Sequence, residues 1–507
     1  MSLRKKKKFR VLLVYPNPPM LGVVPGNMAL LAACLKKAGF EVKLFDMSIY
    51  RTVKKTQDDL RADLNQVKRT NVDDFINWKE VDVYEDFRKV VEKYKPGLIG
   101  ITVVDDTLSM AIKLLEKVKD KKMPKIVGGV GATFNYEKIL RHGMVDMVCR
   151  GEGERALVEL SKKLSQGKDW KRIKNLCFVG DKGEIVTNPL RKLVDINKLP
   201  FYDFSIFDKT RFYRPFHGQV VRMAMVDTDR GCPYSCTYCA APSLRKIYSE
   251  AGVGKYFRVK SVDKVMSEVK HLVKKYKINF IWFSSETFFA RDNKELEEFA
   301  ERYKKEVGLP FWCQTRLDTF TDFRTKLLAE MGCKAVSVGL EHGSEKFRRE
   351  ILKKFISNQS ILTSFKMLHK YNIPATVNNI VGFPDETRDL VFETVKTNRM
   401  MDKYVVSGST LNTFIFTPYS GTPLRDECVK KGYIDEKSED NTNMYAVSVV
   451  KMSSMSKEEI EGLQKTMPFY IKLPKKYFPM IKLAEGTDDK AKEMFKEMSE
   501  ILVSLNK

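Results

Sequence analysis

The stretch Val221–Ala240, VRMAMVDTDRGCPYSCTYCA, runs from an apolar segment, Val221–Thr228, straight into a loop with three cysteines. The apolar run reads as a buried strand, and the glycine and proline behind it read as a turn. Cys232, Cys236 and Cys239 thus form a CxxxCxxC array at the carboxyl end of a predicted strand. Nine cysteines in 507 residues is a frequency of about 0.018, so this spacing is expected by chance only about 0.003 times in such a chain. Three thiolates in one tight loop suit a soft metal centre. They are one ligand short of a closed tetrahedral zinc site or a fully ligated iron–sulfur cluster, and the next cysteine is as distant as Cys313. The reading favoured is a 4Fe–4S cluster with one iron left open for a substrate. A zinc knuckle, or three unrelated thiols, is the competing one.

Outward from that loop, strands and helices alternate in both directions. Downstream, strands are predicted at Phe280–Ser284, Phe311–Thr315, Ala335–Leu340, Ala375–Val381 and Ser407–Phe416. Helical patterns at Val262–Tyr276, Lys294–Lys305, Thr321–Met331, Ser357–Lys370 and Arg388–Met401 separate them. Six βα units predict a partial (β/α)6 barrel of the TIM type, with chemistry at the strand carboxyl ends. Upstream, strands at Phe9–Tyr15, Glu41–Asp46, Leu98–Val103, Lys125–Val127 and Val145–Cys149 alternate with helices. This predicts a Rossmann-like parallel sheet that takes ligands beyond its carboxyl edge. The fold class is α/β. The expected division is residues 1–175, with a charged insertion at 47–95; a turn-rich hairpin and linker at 176–216; the barrel at 217–424; and a helical extension at 425–507, broken at Leu473-Pro474.

Ninety basic against sixty-five acidic residues leave a formal charge of +25. The apolar fraction of 43% excludes wholesale disorder, and no apolar run reaches membrane-spanning length. No signal peptide is expected after the basic start Arg4–Lys8. Nine sparse cysteines argue against a disulfide framework and for a reducing, cytoplasmic setting. Lysine interleaved with glutamate reads as a solvated face, with an anionic partner as the alternative.

The cysteine loop resembles the radical S-adenosylmethionine (SAM) superfamily, in which the open iron is chelated by SAM. Tyr238 occupies that family's aromatic position before the third cysteine. Ser284-Ser-Glu-Thr-Phe288 falls where the family holds the SAM amino group; the usual glycine pair is absent, so Ser284, Ser285 and Glu286 carry over by position. Within Val338–Ser344 the resemblance places Glu341 at the SAM ribose or methionine end. Within Asn379–Thr387 it places Ile380 and Gly382 along adenine, and Thr417–Pro423 resembles the loop after the sixth strand.

The run Ile126–Glu154, the opening segment and the linker Lys198–Asp203 are similar to the cobalamin-binding domain that precedes the barrel in one radical SAM class. That resemblance implies cobalamin contacts at Pro16, Gly22, Asn27, Thr102, Gly128, Gly129, Gly131, Thr133, Gly151 and Glu152. Residues 1–200 hold no Asp-x-His-x-x-Gly, and their one histidine is His142. Cobalamin is therefore expected without a histidine lower ligand; a sheet that has lost cobalamin and only supports the barrel is the alternative.

The resemblance implies a cobalamin-dependent radical SAM enzyme. First choice is a methyltransferase that moves methyl from methylcobalamin to an unactivated carbon after 5′-deoxyadenosyl-radical hydrogen abstraction. The alternative is a cyclase or rearrangement enzyme on a lipid, porphyrin or natural product. A methylthiotransferase would need clustered N-terminal cysteines, whereas Cys34, Cys149 and Cys177 lie far apart. A non-enzymatic cobalamin or redox sensor would need no SAM site. Expected partners are an external one-electron reductant of ferredoxin or flavodoxin type and a small or lipid-like substrate, not nucleic acid. Pro468–Lys482, aromatic and basic, reads as a cap on the barrel, with peripheral membrane contact as the alternative.

Overall fold

The computed structural model describes residues 8–20, 22–435 and 447–505, so most of the basic start lies outside the described residues. Five parallel strands, β1 (Arg10–Tyr15), β2 (Glu41–Asp46), β3 (Leu98–Thr102), β4 (Lys125–Gly128) and β5 (Met147–Cys149), form the first sheet. Their order, β2-β1-β3-β4-β5, reverses direction between β1 and β3. That is the flavodoxin-like variant of the doubly wound sheet, with its ligand crevice beyond the carboxyl ends at the reversal. Val11, Leu12, Leu13 and Val14 are all buried because helices cover both faces.

The hairpin expected in the linker belongs to this sheet. Its strands β6 (Leu176–Val179) and β7 (Ile185–Thr187) add antiparallel to β5, so the sheet has seven strands and reaches past residue 175. The expected insertion at 47–95 is likewise shorter. Val83–Tyr94 is the crossover helix between β2 and β3, burying Val83, Phe87 and Val91 on one stripe. Its charged outer face gives it the look of an insertion.

The second sheet begins with the antiparallel pair β8 (Tyr213–Phe216) and β9 (Gln219–Val226). A two-stranded ribbon, β10 (Asp229–Arg230) with β11 (Arg258–Val259), follows. Then β12 (Phe280–Phe283), β13 (Phe311–Thr315), β14 (Cys333–Glu341), β15 (Ala375–Val381) and β16 (Thr410–Ile415) continue parallel to β9. The order β16-β15-β14-β13-β12-β9-β8 gives six parallel barrel strands and one antiparallel edge. Alternate side chains divide between the outer helices and the interior. On β15, Ala375, Val377 and Val381 are buried outward, whereas Asn378 faces in and bonds Ser337 and Asn412 of the flanking strands.

Helices Lys457–Lys472, Phe478–Ala484 and Asp489–Leu505 close the chain. The first packs on β16 and on helix Arg388–Asp402, and Arg399 caps its end through the carbonyls of Tyr470, Ile471 and Leu473. Phe469, Tyr470, Ile471, Leu473 and Ile481 are buried, as a cap requires. No helix among the described residues is long and apolar enough to cross a membrane.

Candidate functional site

A cavity of about 470 Å³ lies where the carboxyl ends of the two sheets face each other. The first sheet contributes Asn27, Thr102, Gly128, Gly129, Gly151 and Glu152; the barrel contributes Met225, Asp227, Asp229, Arg230, Ser284 and Glu286. Apolar side chains, among them Leu13, Leu30, Ile126 and Leu157, make up much of the remaining wall.

The glycines have a steric reason. Gly129 has φ +108°, and a Cβ there would overlap the Val103 carbonyl oxygen. Thr133 sits behind, donating to Gly129 O (3.0 Å) and accepting from Gly151 N–H (3.1 Å). Thr133 and Gly131 thus support the loop without lining the cavity. Pro16 and Gly22 do not line it either, and Gly22 is exposed.

The predicted serine motif, which follows the end of β12, splits between the cavity and the interior. Ser284 and Glu286 line the cavity, whereas Ser285 is fully buried and shares a hydrogen bond with the Thr228 hydroxyl. Asp229 accepts the Glu286 N–H (3.1 Å) and the Thr228 hydroxyl (3.1 Å). Burial pushes the Asp229 carboxyl up to about 7 and raises that of Glu286.

The cysteine loop starts one residue after Arg230. Burial first, with Glu286 and the neighbouring thiols adding to it, pushes the Cys232 thiol up to about 12 and the Cys239 thiol to about 11. Thiols that destabilise one another's anions fit a cationic group, which inverts that preference. The Arg316 guanidinium approaches Cys236 Sγ at 3.6 Å, and the Ala241 N–H donates to Cys239 Sγ (3.5 Å). Among the described residues no three His, Cys, Asp or Glu side chains converge on a single-ion site. Cys232, Cys236 and Cys239 are all free, and three thiols in one loop are the donor type that an iron–sulfur cluster takes.

Tyr238, inside the loop, donates to Glu341 Oε1 (3.2 Å), and Lys354 Nζ reaches both Glu341 Oε1 (3.0 Å) and the Tyr238 hydroxyl oxygen (3.3 Å). Glu341 ends β14 at φ +66°, beside a register shift against β15. Ile380 packs with Tyr238 and Phe383. Gly382, at φ +85°, donates its N–H to Glu386 Oε2 (2.5 Å). Glu386 Oε1 also stands 3.1 Å from His342 Nε2 without hydrogen-bond alignment, both groups wholly buried.

The sequence reading missed the contact joining the two halves. Arg230 bonds Glu154 (2.7 Å) and Glu152 (3.0 Å), and Arg258 bonds Glu152 (2.5 Å). Burial opposes the charge on Arg230, but Glu154 and Glu152 outweigh it and hold its pKa above the ordinary value. The one local signal was a charged Asp-Thr-Asp-Arg at a strand's carboxyl end, where barrels keep functional groups.

Two cofactor-type sheets face each other across one cavity, with a three-cysteine loop at its rim. Family models agree: a B12 binding domain matches residues 23–161 and the Radical SAM superfamily matches residues 228–397. The chain thus carries a Radical SAM superfamily domain with a B12 binding domain in front of it. An uncharacterized methyltransferase, PH0819 of Pyrococcus horikoshii, is 29% identical over 400 residues, 77% of this chain and 82% of the relative. An anaerobic magnesium-protoporphyrin IX monomethyl ester cyclase of Rubrivivax gelatinosus is 23% identical over 76% of this chain and 68% of its own length. Among solved structures, the radical SAM methyltransferase TsrM of Kitasatospora setae, with cobalamin and a [4Fe-4S] cluster bound, superposes with a TM-score of 0.61. It shares 18% identity, covering 84% of this chain and 78% of that one.

Proposed function

We propose that this chain is a cobalamin-dependent radical SAM methyltransferase acting on an unactivated carbon. The observation that carries the reading is the shared cavity, in which glycine loops of the first sheet face the rim of the cysteine loop. Cys232, Cys236 and Cys239 would hold a 4Fe–4S cluster. Ser284, Glu286 and Glu341 would bind SAM, with Tyr238, Ile380 and Gly382 beside it. Asn27, Thr102, Gly128, Gly129 and Gly151 would border cobalamin. When bound, these groups would supply hydrogen-atom abstraction and a transferable methyl group. The chain's own part is placement and exclusion. Glycine backbone admits a broad ligand, Lys354 and Tyr238 fix Glu341, and the apolar wall keeps water from the reacting atoms.

Glu152 is engaged by Arg230, Arg258 and the Val194 N–H, so it serves the joint between the halves. Ser285 orients the Thr228–Asp229 turn.

Anaerobic reconstitution with iron and sulfide tests the reading. The wild type should turn brown and release 5′-deoxyadenosine from SAM with dithionite, and Cys236→Ala should do neither. A loop that takes zinc, or stays colourless, overturns it. The cyclase relative favours a second reading, in which the ring closes without methyl transfer. Labelled methyl from SAM appearing in the product decides for methylation, and its absence decides for cyclisation.

A further inference from the structure

The cysteine loop has a neighbour besides the cavity. Thr237, between Cys236 and Tyr238, donates its backbone N–H to Leu352 O (3.0 Å) and its hydroxyl to Ile351 O (2.7 Å). The segment offering those carbonyls runs from helix Glu345–Glu350 through a left-handed turn at Lys353 (φ +49°) to Phe355. Its inward residues, Phe347, Arg348, Leu352 and Lys354, are buried. Its outward residues are Lys346, Arg349, Ile351, Lys353 and Phe355, with Glu345 and Glu350 at the helix ends. Glu345 is occupied by the Asn358 N–H (2.7 Å). Phe355 is 65% exposed, the highest value for a large hydrophobic side chain among the described residues, and Ile351 is 37% exposed.

Two exposed apolar side chains framed by three cations, one hydrogen bond from the loop, form an interaction patch rather than an ordinary solvated surface. Its position bears on electron delivery. A donor must come close to the acceptor, and across the cavity the loop is faced by the first sheet. The segment over Thr237 is an outer face from which the loop can be approached. The sign of the charge selects the partner: three local cations against the two carboxylates Glu345 and Glu350, on a chain of net charge +25, attract an acidic protein. Electron-carrier complexes are small and transient, which a patch of this size suits.

We propose that the outer face of Glu345–Phe355 docks an acidic one-electron carrier protein. Ile351 and Phe355 form its apolar centre, and Lys346, Arg349 and Lys353 steer the partner. The proposal rests on the reading of Cys232, Cys236 and Cys239 as cluster ligands. None of the five patch residues touches that site with its side chain.

The test uses the reconstituted full-length protein with flavodoxin as the probe, and Phe355→Ser and Lys353→Glu as separate variants. Binding of oxidised flavodoxin is measured by calorimetry at low salt. Cluster reduction is followed by absorbance and electron paramagnetic resonance, once with reduced flavodoxin and once with dithionite, which needs no docking face. Each variant should lose about tenfold in flavodoxin affinity and in flavodoxin-driven rate, keep the wild-type dithionite rate, and raised salt should slow only the flavodoxin reaction. Wild-type affinity and flavodoxin rate in both variants overturn the docking face while leaving the cluster intact. A wild type with no dithionite-reducible chromophore overturns the cluster reading, and the docking proposal falls with it.

Discussion

Asp229 carries a carboxyl that burial lifts from 3.8 to about 7. The folded protein therefore binds this proton more tightly than the unfolded chain does. The stability the group contributes is whole below about pH 4 and is lost as pH rises through about 7. Asp229→Asn has no such proton to lose. In thermal unfolding of the cofactor-free protein, the variant should gain on the wild type between about pH 4 and about pH 7, with the difference level above that. A difference that stays constant with pH would mean that Asp229 is ionised throughout. Gly129 makes a second residue-scale case, since both its φ and the Val103 carbonyl exclude a side chain. Gly129→Ala should cost about 2–4 kcal/mol in urea unfolding. Sequence marked both neighbourhoods to different depths. The three cysteines were legible because eight consecutive residues carry them all. Ser285 was not, because which of two adjacent serines faces a cavity depends on a partner, Thr228, in the turn between β9 and β10.

Among elements, strands and helices were legible wherever one face of a periodic segment is buried, as in helix Val262–Tyr276. Membership of a sheet was not, because hairpin β6–β7 reads the same alone as paired to β5. Helix Val83–Tyr94 hid its three-residue apolar stripe under charge. Least legible was the joint between the Gly151–Glu154 loop and the ribbon strand β10, whose partners stand 76 residues apart in sequence. Arg230→Met leaves Glu154 and Glu152 near one another with only Arg258 on Glu152, and should cost about 3 kcal/mol. Because Arg230 precedes Gly231-Cys232, the loss should also loosen the cysteine loop. Urea unfolding and limited proteolysis between residues 150 and 260 measure the two effects, and Arg230→Lys should recover part of both.

At the scale of the whole molecule, the cavity exists only because the first sheet and the barrel present their carboxyl ends to each other, so any cofactor there is held by both. None of the described residues lining it is a histidine. His142, the histidine nearest in sequence to the glycine loops, lines a different cavity, between helix Asp105–Glu116 and the loop after β16. A corrinoid in the shared cavity would thus be offered no imidazole by the described residues that line it. The arrangement has a direct spectroscopic consequence. Protein loaded with a Co(II) corrinoid whose own nucleotide base has been removed should give an electron paramagnetic resonance signal without nitrogen superhyperfine splitting, and His142→Ala should leave that signal unchanged. Splitting that disappears in His142→Ala would place the corrinoid in the second cavity and break the link between the cysteine loop and the glycine loops on which the proposed reaction depends.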